Sequence, residues 1–495
     1  MRTIRNISLS VITAFSLLNT SCLNLESEIY DVINPTIFPQ TEQDAYALVN
    51  ACYMPFRSNW YGGIFTVASG GIQIIGDMST DLGQCQWGES SWGPALYHNW
   101  DANESYVGRF YEYTRDIGKF TITMDRISKI EMNAEKKARL TAELRAARGW
   151  MLYMLYNWYG PVPVATLEEL NTPLADKAIP RPTKEWTVNF IEEDLIEAAK
   201  VLPAKYTDTD YGRFTKGLVK TVLMKLYMHE GEWAKAESVG RELLNPEYGY
   251  GLMSDYASIF KLENEGNKEI IFAATCDSKN AQLWLAHVLP SEYPTQNTAI
   301  QKWNGYRVPW KFYHTFDAKD KRLEVLVGEF KGNDGVLYNE STKDTHVALR
   351  KGALPVKYGE DPAATGEESQ VDWIVLRYAD VVTLLAEAIA RNAGGATQEA
   401  VDLLNQVRLR AGLEALTLAD VSSLQEFLDS ILLERGHEFW FEGIRREDLI
   451  RHGKYIQYAR EYKGSTTTRE ECVLMPIPQW AINEGKGEVI QNPGY

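Results

Sequence analysis

Apolar residues recur at helical spacing along several long stretches of this chain, with polar residues on the opposite face. The longest stretch covers residues 134–159 and ends at Gly160-Pro161, a pair that stops a helix. Thr183 stands where it can cap a further helix, which the apolar pattern extends to Leu202-Pro203. The pattern therefore predicts a mostly α fold.

Two stretches predict pairs of antiparallel helices. Residues 217–244 contain two helical patterns that separate near Gly231, and the order of their apolar residues resembles a tetratricopeptide unit. Residues 378–411 contain a similar pair with a turn at Gly394-Gly395. Because one hairpin cannot bury its apolar face alone, we expect the hairpins to stack into one large body.

Two regions lack the helical pattern, residues 60–101 and roughly residues 276–366. Both are rich in glycine and polar residues, but the aromatic content of the chain, 12%, argues against disorder. Long irregular segments inside a compact body are often functional. Seven of the 14 tryptophans fall in or near these regions: Trp60, Trp87, Trp92, Trp100, Trp284, Trp303 and Trp310.

The first 22 residues resemble the export signal of a bacterial lipoprotein. Arg2 and Arg5 precede an apolar stretch over residues 7–18, which is shorter than the roughly 20 residues that a membrane-spanning helix needs. Cys22 follows small residues, and in lipoproteins such a cysteine becomes the lipidated first residue of the mature protein. Plain secretion with an unmodified Cys22 is the alternative.

These features predict the organisation of the chain. We expect a signal peptide over residues 1–21, then the lipidated Cys22 and a tether over residues 22–35. The remainder, residues 36–495, is expected to form a single body. Its N-terminal half covers about 36–270 and its C-terminal half about 271–495.

The charge of the chain excludes one class of function. The 495 residues contain 51 Lys and Arg against 67 Asp and Glu, which gives a formal net charge of −16. Non-specific nucleic-acid binding requires a surplus of cations that neutralise phosphates. We therefore expect no nucleic-acid partner.

The cysteines do not predict a metal site. Four of them follow Cys22 at wide spacing and without a C-x-x-C motif, so structural zinc is not expected. In an exported protein they could form disulfides, and four cysteines allow three pairings between which the sequence does not choose. A calcium ion held by loop carboxylates and carbonyls also stays open. The four are Cys52, Cys85, Cys276 and Cys472.

The motifs of common enzyme classes are absent from the sequence. There is no G-x-S-x-G nucleophile elbow, no G-x-x-x-x-G-K-[ST] phosphate loop and no H-E-x-x-H zinc helix. Carboxylate pairs such as Asp77 with Asp81 would suit a glycosidase, but a chain with 67 carboxylates contains such pairs by chance. We expect a protein without catalytic residues or cofactors, and a surface glycoside hydrolase is the alternative.

Five sequence motifs resemble those of the SusD/RagB family of bacterial outer-membrane lipoproteins, and they follow one another in the order typical of that family. The first is AELRAARGW at 142–150, which continues through the helix to YGPVP at 159–163. The second and third are LRYADVVTLLAEA at 376–388 and LNQVRLRAG at 404–412. The fourth is ERGHEFWFEGIRREDLIR at 434–451, and the last is LMPIP at 474–478 with QNPGY at 491–495.

The chemistry of the fourth motif is structural. Phe439, Trp440 and Phe441 are expected to pack in the core. The spacing of the charged residues suits ion pairs along one helix or between packed helices. These residues are therefore expected to hold the fold together rather than to contact ligand. The charged set is Glu434, Arg435, Glu442 and Arg445.

The resemblance implies a role in nutrient capture. Members of this family lie on the cell surface, anchored by lipid in the outer membrane, as lid-like partners of a SusC-like TonB-dependent transporter. They bind oligosaccharides, or in some members peptides, and pass them to the transporter without enzymatic activity. Their tetratricopeptide-like hairpins support a variable loop region that carries the ligand site. For this chain we expect an oligosaccharide ligand, with a peptide or another nutrient as the alternative.

The loop aromatics predict where that ligand binds. Sugars present C–H faces that pack on flat rings, while polar neighbours bind the hydroxyl groups. The neighbouring side chains of Gln84, Gln86, Asn304 and Arg307 could supply these hydrogen bonds. The alternative for any single tryptophan is that it packs a loop onto the helices. The predicted ligand-binding residues are Trp87, Trp92, Asn99, Trp100, Trp303, Tyr306 and Trp310.

Overall fold

The computed structural model describes residues 38–60, 62–68, 70–87, 89–172, 177–206 and 208–495. The predicted signal peptide, lipidation site Cys22 and tether lie outside these residues.

The fold is mostly α, as the apolar pattern predicts. The helices are α1 (Glu42–Cys52), α2 (Ile72–Met78), α3 (Glu89–Leu96), α4 (Ser105–Glu112), α5 (Thr114–Ser128), α6 (Ala134–Tyr159), α7 (Leu167–Asn171), α8 (Lys184–Ala199), α9 (Lys216–Glu230), α10 (Trp233–Leu243), α11 (Trp284–Val288), α12 (Trp310–Tyr313), α13 (Tyr378–Ala393), α14 (Gln398–Arg410), α15 (Leu424–Glu438), α16 (Arg445–Arg451), α17 (Tyr455–Lys463) and α18 (Gln479–Glu484).

Short strands connect distant parts of the chain. They are β1 (Gln84–Cys85), β2 (Ile270–Ala274), β3 (Tyr306–Arg307), β4 (Leu326–Val327), β5 (Phe330–Lys331), β6 (Leu337–Tyr338), β7 (Leu354–Pro355) and β8 (Trp373–Arg377). In the part of the chain that the structure describes, these strands form four antiparallel pairs: β1 with β3, β2 with β8, β4 with β7 and β5 with β6. The β2–β8 pair aligns Ala274 with Trp373 and Ile270 with Arg377.

Helix α6 begins and ends where the sequence predicts. The Asn133 side chain caps its first turn by accepting a hydrogen bond from the backbone N–H of Lys136. Gly160 ends the helix with a φ of 70°, a conformation that glycine adopts without steric cost. Helices α5 and α8 pack against α6, and its last third is buried over its whole circumference because α4, α16 and the C-terminal segment also contact it.

The predicted helix pairs are present. Gly231 separates α9 from α10, and Gly394 separates α13 from α14, each with a left-handed backbone. Packing follows the chain from α5 through α6, α8, α9, α10 and α13 to α14. Each hairpin thus buries the apolar face of the one before it, which confirms the stacking that the sequence indicates.

The two regions predicted to be irregular contain short elements. Helices α2 and α3 lie within residues 60–101, and α11, α12 and strands β3 to β7 lie within residues 276–366. Between these short elements both regions are irregular, as predicted. The elements themselves escape the sequence analysis because helices of four to eight residues complete too few turns to give a periodic pattern.

A buried set of charges joins the two halves of the chain. The guanidinium of Arg377 lies 2.8 Å from Glu269 and 2.7 Å from Glu442, and it also pairs with Glu438. All of these side chains are almost completely buried, and the set contains three positive and three negative charges, while the buried Arg322 also pairs with Glu438 at 3.1 Å. We call it the Arg377 network, and its members are Lys357, Arg377, Arg410, Glu269, Glu438 and Glu442.

The fourth sequence motif is structural, as predicted. The rings of Phe439, Trp440 and Phe441 are buried in the core. Arg435 pairs with Asp380 and Asp448, which connects α15 to α13 and α16. The remaining charged residues of the motif are also paired, Glu434 with Arg322 and Arg408, Glu442 within the Arg377 network, and Arg445 with Asp81.

The four cysteines that follow Cys22 carry free thiols. Cys52, Cys85 and Cys472 are buried and Cys276 is half-buried, so none of the three possible disulfide pairings is formed. Within the described ranges, no set of three His, Cys, Asp or Glu side chains is grouped as metal ligands. In the same residues, none of the helices is both long enough and apolar enough to cross a bilayer.

Candidate ligand-binding site

The short β1–β3 pair brings two distant loops together. It aligns Gln84 with Arg307 and Cys85 with Tyr306, and the backbone N–H of Gln86 then donates to the carbonyl oxygen of Gly305 at 2.9 Å. The residue after Gln86 is Trp87, and Trp303 lies just before the paired segment of the other loop. Two of the predicted ligand residues therefore meet, although they lie far apart in sequence.

Three tryptophans form one aromatic surface at this junction. The ring centroids of Trp60 and Trp303 are 5.3 Å apart with an edge-to-face arrangement, and the indole N–H of Trp87 donates to the carbonyl oxygen of Trp303 at 2.6 Å. Trp60 is 42% exposed and Trp87 is 37% exposed, while Trp303 is half-buried. We call Trp60, Trp87 and Trp303 the tryptophan platform.

Polar side chains hold the platform loops in place. The amide nitrogen of Gln86 donates to Asn304 Oδ1 at 2.9 Å and to the carbonyl oxygen of Ala348 at 3.1 Å. Arg307 is buried and donates to the carbonyl oxygens of Ala348 and Val288, and burial lowers its pKa to about 9. These side chains donate their hydrogen bonds to other residues of the loops, so their role in this structure is to support the platform.

Two buried rings lie under the platform. The Tyr306 ring is 5.5 Å from that of Trp87, and its hydroxyl donates to the carbonyl oxygen of Val67 at 2.7 Å. Burial raises the pKa of Tyr306 well above its usual value, so the hydroxyl stays protonated. The ring of His287 stacks on Tyr306 with centroids 5.1 Å apart. The exposed indoles thus rest on a packed aromatic layer that fixes their orientation.

The other predicted ligand residues lie away from the exposed rings. Trp92 is buried and packs edge-to-face against Tyr306. Trp100 is buried, and its indole N–H donates to the Tyr495 hydroxyl at 2.8 Å. Asn99, which precedes it, is exposed. Trp310 is half-buried and donates to the carbonyl oxygen of Leu349 at 3.0 Å.

A groove of about 600 Å³ opens beside Trp60. Its wall combines glycines 62, 63 and 70 with the charged side chains of Arg109, Glu112 and Arg115. Asp116 also lines it, and burial raises the pKa of this carboxyl. A volume of this size falls within the range of small-molecule sites, and the mixed charges favour a polar ligand over an apolar one.

The sequence analysis missed two members of the site. Trp60 belongs to the loop tryptophans singled out above, but its pairing with Trp303 depends on tertiary structure. His287 lies on α11, which has only five residues, and no motif marks it. The exposed flat rings and the groove beside them suit a ligand with apolar faces and polar edges, as a sugar has.

Known proteins with similar sequences and structures have the same mostly helical fold as this chain. The model described as the SusD family matches residues 326–495, and a second model, described as starch-binding associating with outer membrane, matches residues 70–228. The surface glycan-binding protein A from Bacteroides thetaiotaomicron, solved in complex with laminarihexaose, superposes with a TM-score of 0.74 at 20% identity. The superposition covers 92% of this chain and 100% of that one, which shows that the folds are alike.

Relatives with similar sequences span most of the chain. The SusD-like protein P2 of Formosa agariphila is 23% identical over 505 residues, which cover 96% of this chain and 97% of the relative. The starch-binding protein SusD of Bacteroides thetaiotaomicron is 23% identical over 445 residues, or 77% of each chain. Together with the family motifs and the stacked hairpins, these matches show that this chain is similar to the SusD family over residues 70–228 and 326–495.

Proposed function

We propose that this protein is a cell-surface glycan-binding lipoprotein that captures oligosaccharides and delivers them to a SusC-like TonB-dependent outer-membrane transporter. The observation that carries the proposal is the tryptophan platform, in which Trp60 and Trp87 expose large parts of their rings. Exposed indoles on a rigid base offer contact area at a low cost in side-chain entropy, and sugar C–H faces pack well on them.

The similar proteins support a carbohydrate ligand. One of them is named as starch-binding and another was solved with laminarihexaose. The family description of residues 70–228 refers to starch binding and to the outer membrane. The sequence motifs add the expectation of a SusC-like partner, because members of this family act as lids of such transporters.

A binding experiment with matched variants tests the platform. Laminarihexaose, soluble starch fragments, other neutral oligosaccharides and a set of peptides are titrated calorimetrically into the protein lacking residues 1–22. We expect an oligosaccharide to bind and Trp60→Ala, Trp87→Ala and Trp303→Ala together to weaken it about tenfold or more. Trp186→Ala is the control, because Trp186 is 43% exposed but stacks on Phe190 of helix α8.

Each outcome has a distinct meaning. Undiminished glycan binding by the triple variant would contradict the assignment of the platform, and binding of peptides alone would contradict the glycan proposal. Release of shorter sugars from a bound glycan would indicate a hydrolase instead.

The lipid anchor and the transporter partner need tests in cells. If Cys22 is acylated, the wild-type protein partitions into the detergent phase, whereas Cys22→Ala stays in the aqueous phase. Equal partitioning of the two would contradict the anchor. Purification of the tagged protein from outer membranes is expected to bring a large TonB-dependent barrel with it, and its absence under mild detergent would contradict the partner.

A further inference from the structure

His287 lies at the floor of the tryptophan platform. Its ring centroid is 4.8 Å from that of Trp303, 5.4 Å from Trp87 and 6.1 Å from Trp60. The side chain is only 3% exposed. A polar ring therefore occupies the centre of a site whose other surfaces are indoles.

The hydrogen bonding of His287 fixes its tautomer. Its Nδ1 lies 2.9 Å from the carbonyl oxygen of Leu283, one turn earlier in the chain. A carbonyl oxygen can only accept, so Nδ1 carries the proton and Nε2 is left with a lone pair. Burial lowers the pKa of this imidazole to about 4, and no charged group adds to that shift, so the ring is neutral at physiological pH.

The structure gives Nε2 no hydrogen bond to another of the described residues, and Nε2 is not one of the fully buried polar atoms that lack a partner. The surrounding loop is fixed by other bonds, since the backbone N–H of Gly305 donates to the His287 carbonyl oxygen at 2.8 Å and that of Trp303 to Ala286 at 2.7 Å. The unprotonated Nε2 is an acceptor, so a ligand hydroxyl that reaches it can donate a hydrogen bond to it.

We infer that His287 is a specificity-determining residue of the tryptophan platform and that its Nε2 accepts a hydrogen bond from a hydroxyl group of the bound sugar. This inference rests on the proposed function and adds the chemistry of the ligand at one position. A sugar hydroxyl has a proton to donate. A uronate carboxylate or a sulfate ester is acceptor-only at neutral pH, so its lone pairs would face the lone pair of Nε2. The group that meets Nε2 is therefore a hydroxyl and not a carboxylate or a sulfate ester.

Calorimetry with two histidine variants tests the inference. His287→Phe keeps a flat ring and removes both nitrogens, and we expect it to weaken the binding of a neutral oligosaccharide such as laminarihexaose about tenfold. His314→Phe is the control, because His314 is an exposed histidine that pairs with Glu340.

A second measurement reads the imidazole directly. Nitrogen-15 NMR of the free protein at neutral pH should show a protonated Nδ1 and an unprotonated Nε2, and a bound neutral sugar should shift the Nε2 resonance. This measurement tests the inference even if the His287→Phe variant fails to fold, because it needs only the wild-type protein.

The outcomes separate this inference from the function on which it rests. If no oligosaccharide binds the wild-type protein, the proposed function fails and the inference fails with it. If a sugar binds and requires Trp87, but His287→Phe binds equally well, the function stands and the inference is overturned. A protonated Nε2 in the free protein would also overturn the inference.

Discussion

The indole N–H of Trp87 donates a hydrogen bond of 2.6 Å to the backbone carbonyl oxygen of Trp303, across 216 residues of sequence. This bond uses the edge of the indole, so it does not cover the part of the Trp87 ring that is exposed. The indole N–H of Trp87 is thus already used, so a ligand at the proposed site would contact this residue through its ring. The position of one platform tryptophan thus depends on the backbone of the loop that carries another.

Gly305 is predicted to be essential for the position of Trp87. A Cβ atom at residue 305 would collide with the Trp87 ring and would lie 2.6 Å from the His287 carbonyl oxygen. Gly305→Ala should therefore displace Trp87 and reduce glycan affinity several-fold, while far-UV circular dichroism stays unchanged. Gly366→Ala serves as the control, since nothing lies within 4 Å of its added methyl group. Equal affinities of the two variants would contradict the prediction.

The sequence predicts the helical scaffold well because its signals are local. Gly160, Gly231 and Gly394 end helices at the predicted places, and each does so through its own backbone conformation. Long helices such as α6 also repeat their apolar pattern over several turns, so their boundaries follow from the pattern itself.

The site was predicted less completely because it depends on distant contacts. Trp87 and Trp303 were named, but their meeting depends on the two-residue strands β1 and β3, which are too short to give a pattern. Composition also cannot tell an exposed Trp87 from a buried Trp92 or Trp100. Whether the predicted residues contact ligand stays a prediction, and for the buried ones a supporting role is the simpler expectation.

The Arg377 network is predicted to dominate the effect of charge substitutions on stability. Arg377→Met leaves Glu269, Glu438 and Glu442 buried with less positive charge, and such a change costs roughly 3–5 kcal/mol. Urea denaturation of the two proteins measures the difference in the free energy of unfolding.

An exposed ion pair provides the comparison for that experiment. Arg241 and Glu399 form a surface pair whose side chains are about half exposed. Arg241→Met should lower the free energy of unfolding by less than about 1 kcal/mol. A loss from Arg377→Met as small as this one would show that the buried network contributes little.

His98 is predicted to make the protein sensitive to mild acid. Its Nε2 donates to the Ser79 carbonyl oxygen at 2.7 Å, and its ring stacks on Trp100 and Tyr455. Burial, with smaller contributions from Arg446 and Lys463, lowers its pKa from 6.5 to about 4.

The sign of the effect follows from proton binding. Between about pH 6.5 and 4 the unfolded chain binds a proton at His98 and the folded protein does not, so stability falls as the pH falls. The full shift corresponds to about 3 kcal/mol. His98→Asn, which tolerates the positive φ of this residue, should lose less stability between pH 7 and pH 4.5 than the wild type. An equal loss in both proteins would contradict the assignment.

The thiols are predicted to react slowly until the protein unfolds. Burial raises the pKa of Cys85 to about 11 and that of Cys276 to about 12, and a protonated thiol is a poor nucleophile. Ellman's reagent should label at most the half-buried Cys276 in the native protein lacking residues 1–22. In denaturant without reductant it should label all four cysteines, and a lower count would reveal a disulfide.

The three rings of the platform come from three separate loops, whereas each charge of the Arg377 network is surrounded by its partners. The two regions should therefore evolve differently. A substitution at Trp60, Trp87 or Trp303 changes the shape of the proposed sugar-binding surface without removing a partner from the helical scaffold. Replacing one network charge leaves its partners unmatched, so compensating changes are needed. A duplicated gene of this kind could acquire a new glycan one loop residue at a time while its scaffold stayed the same.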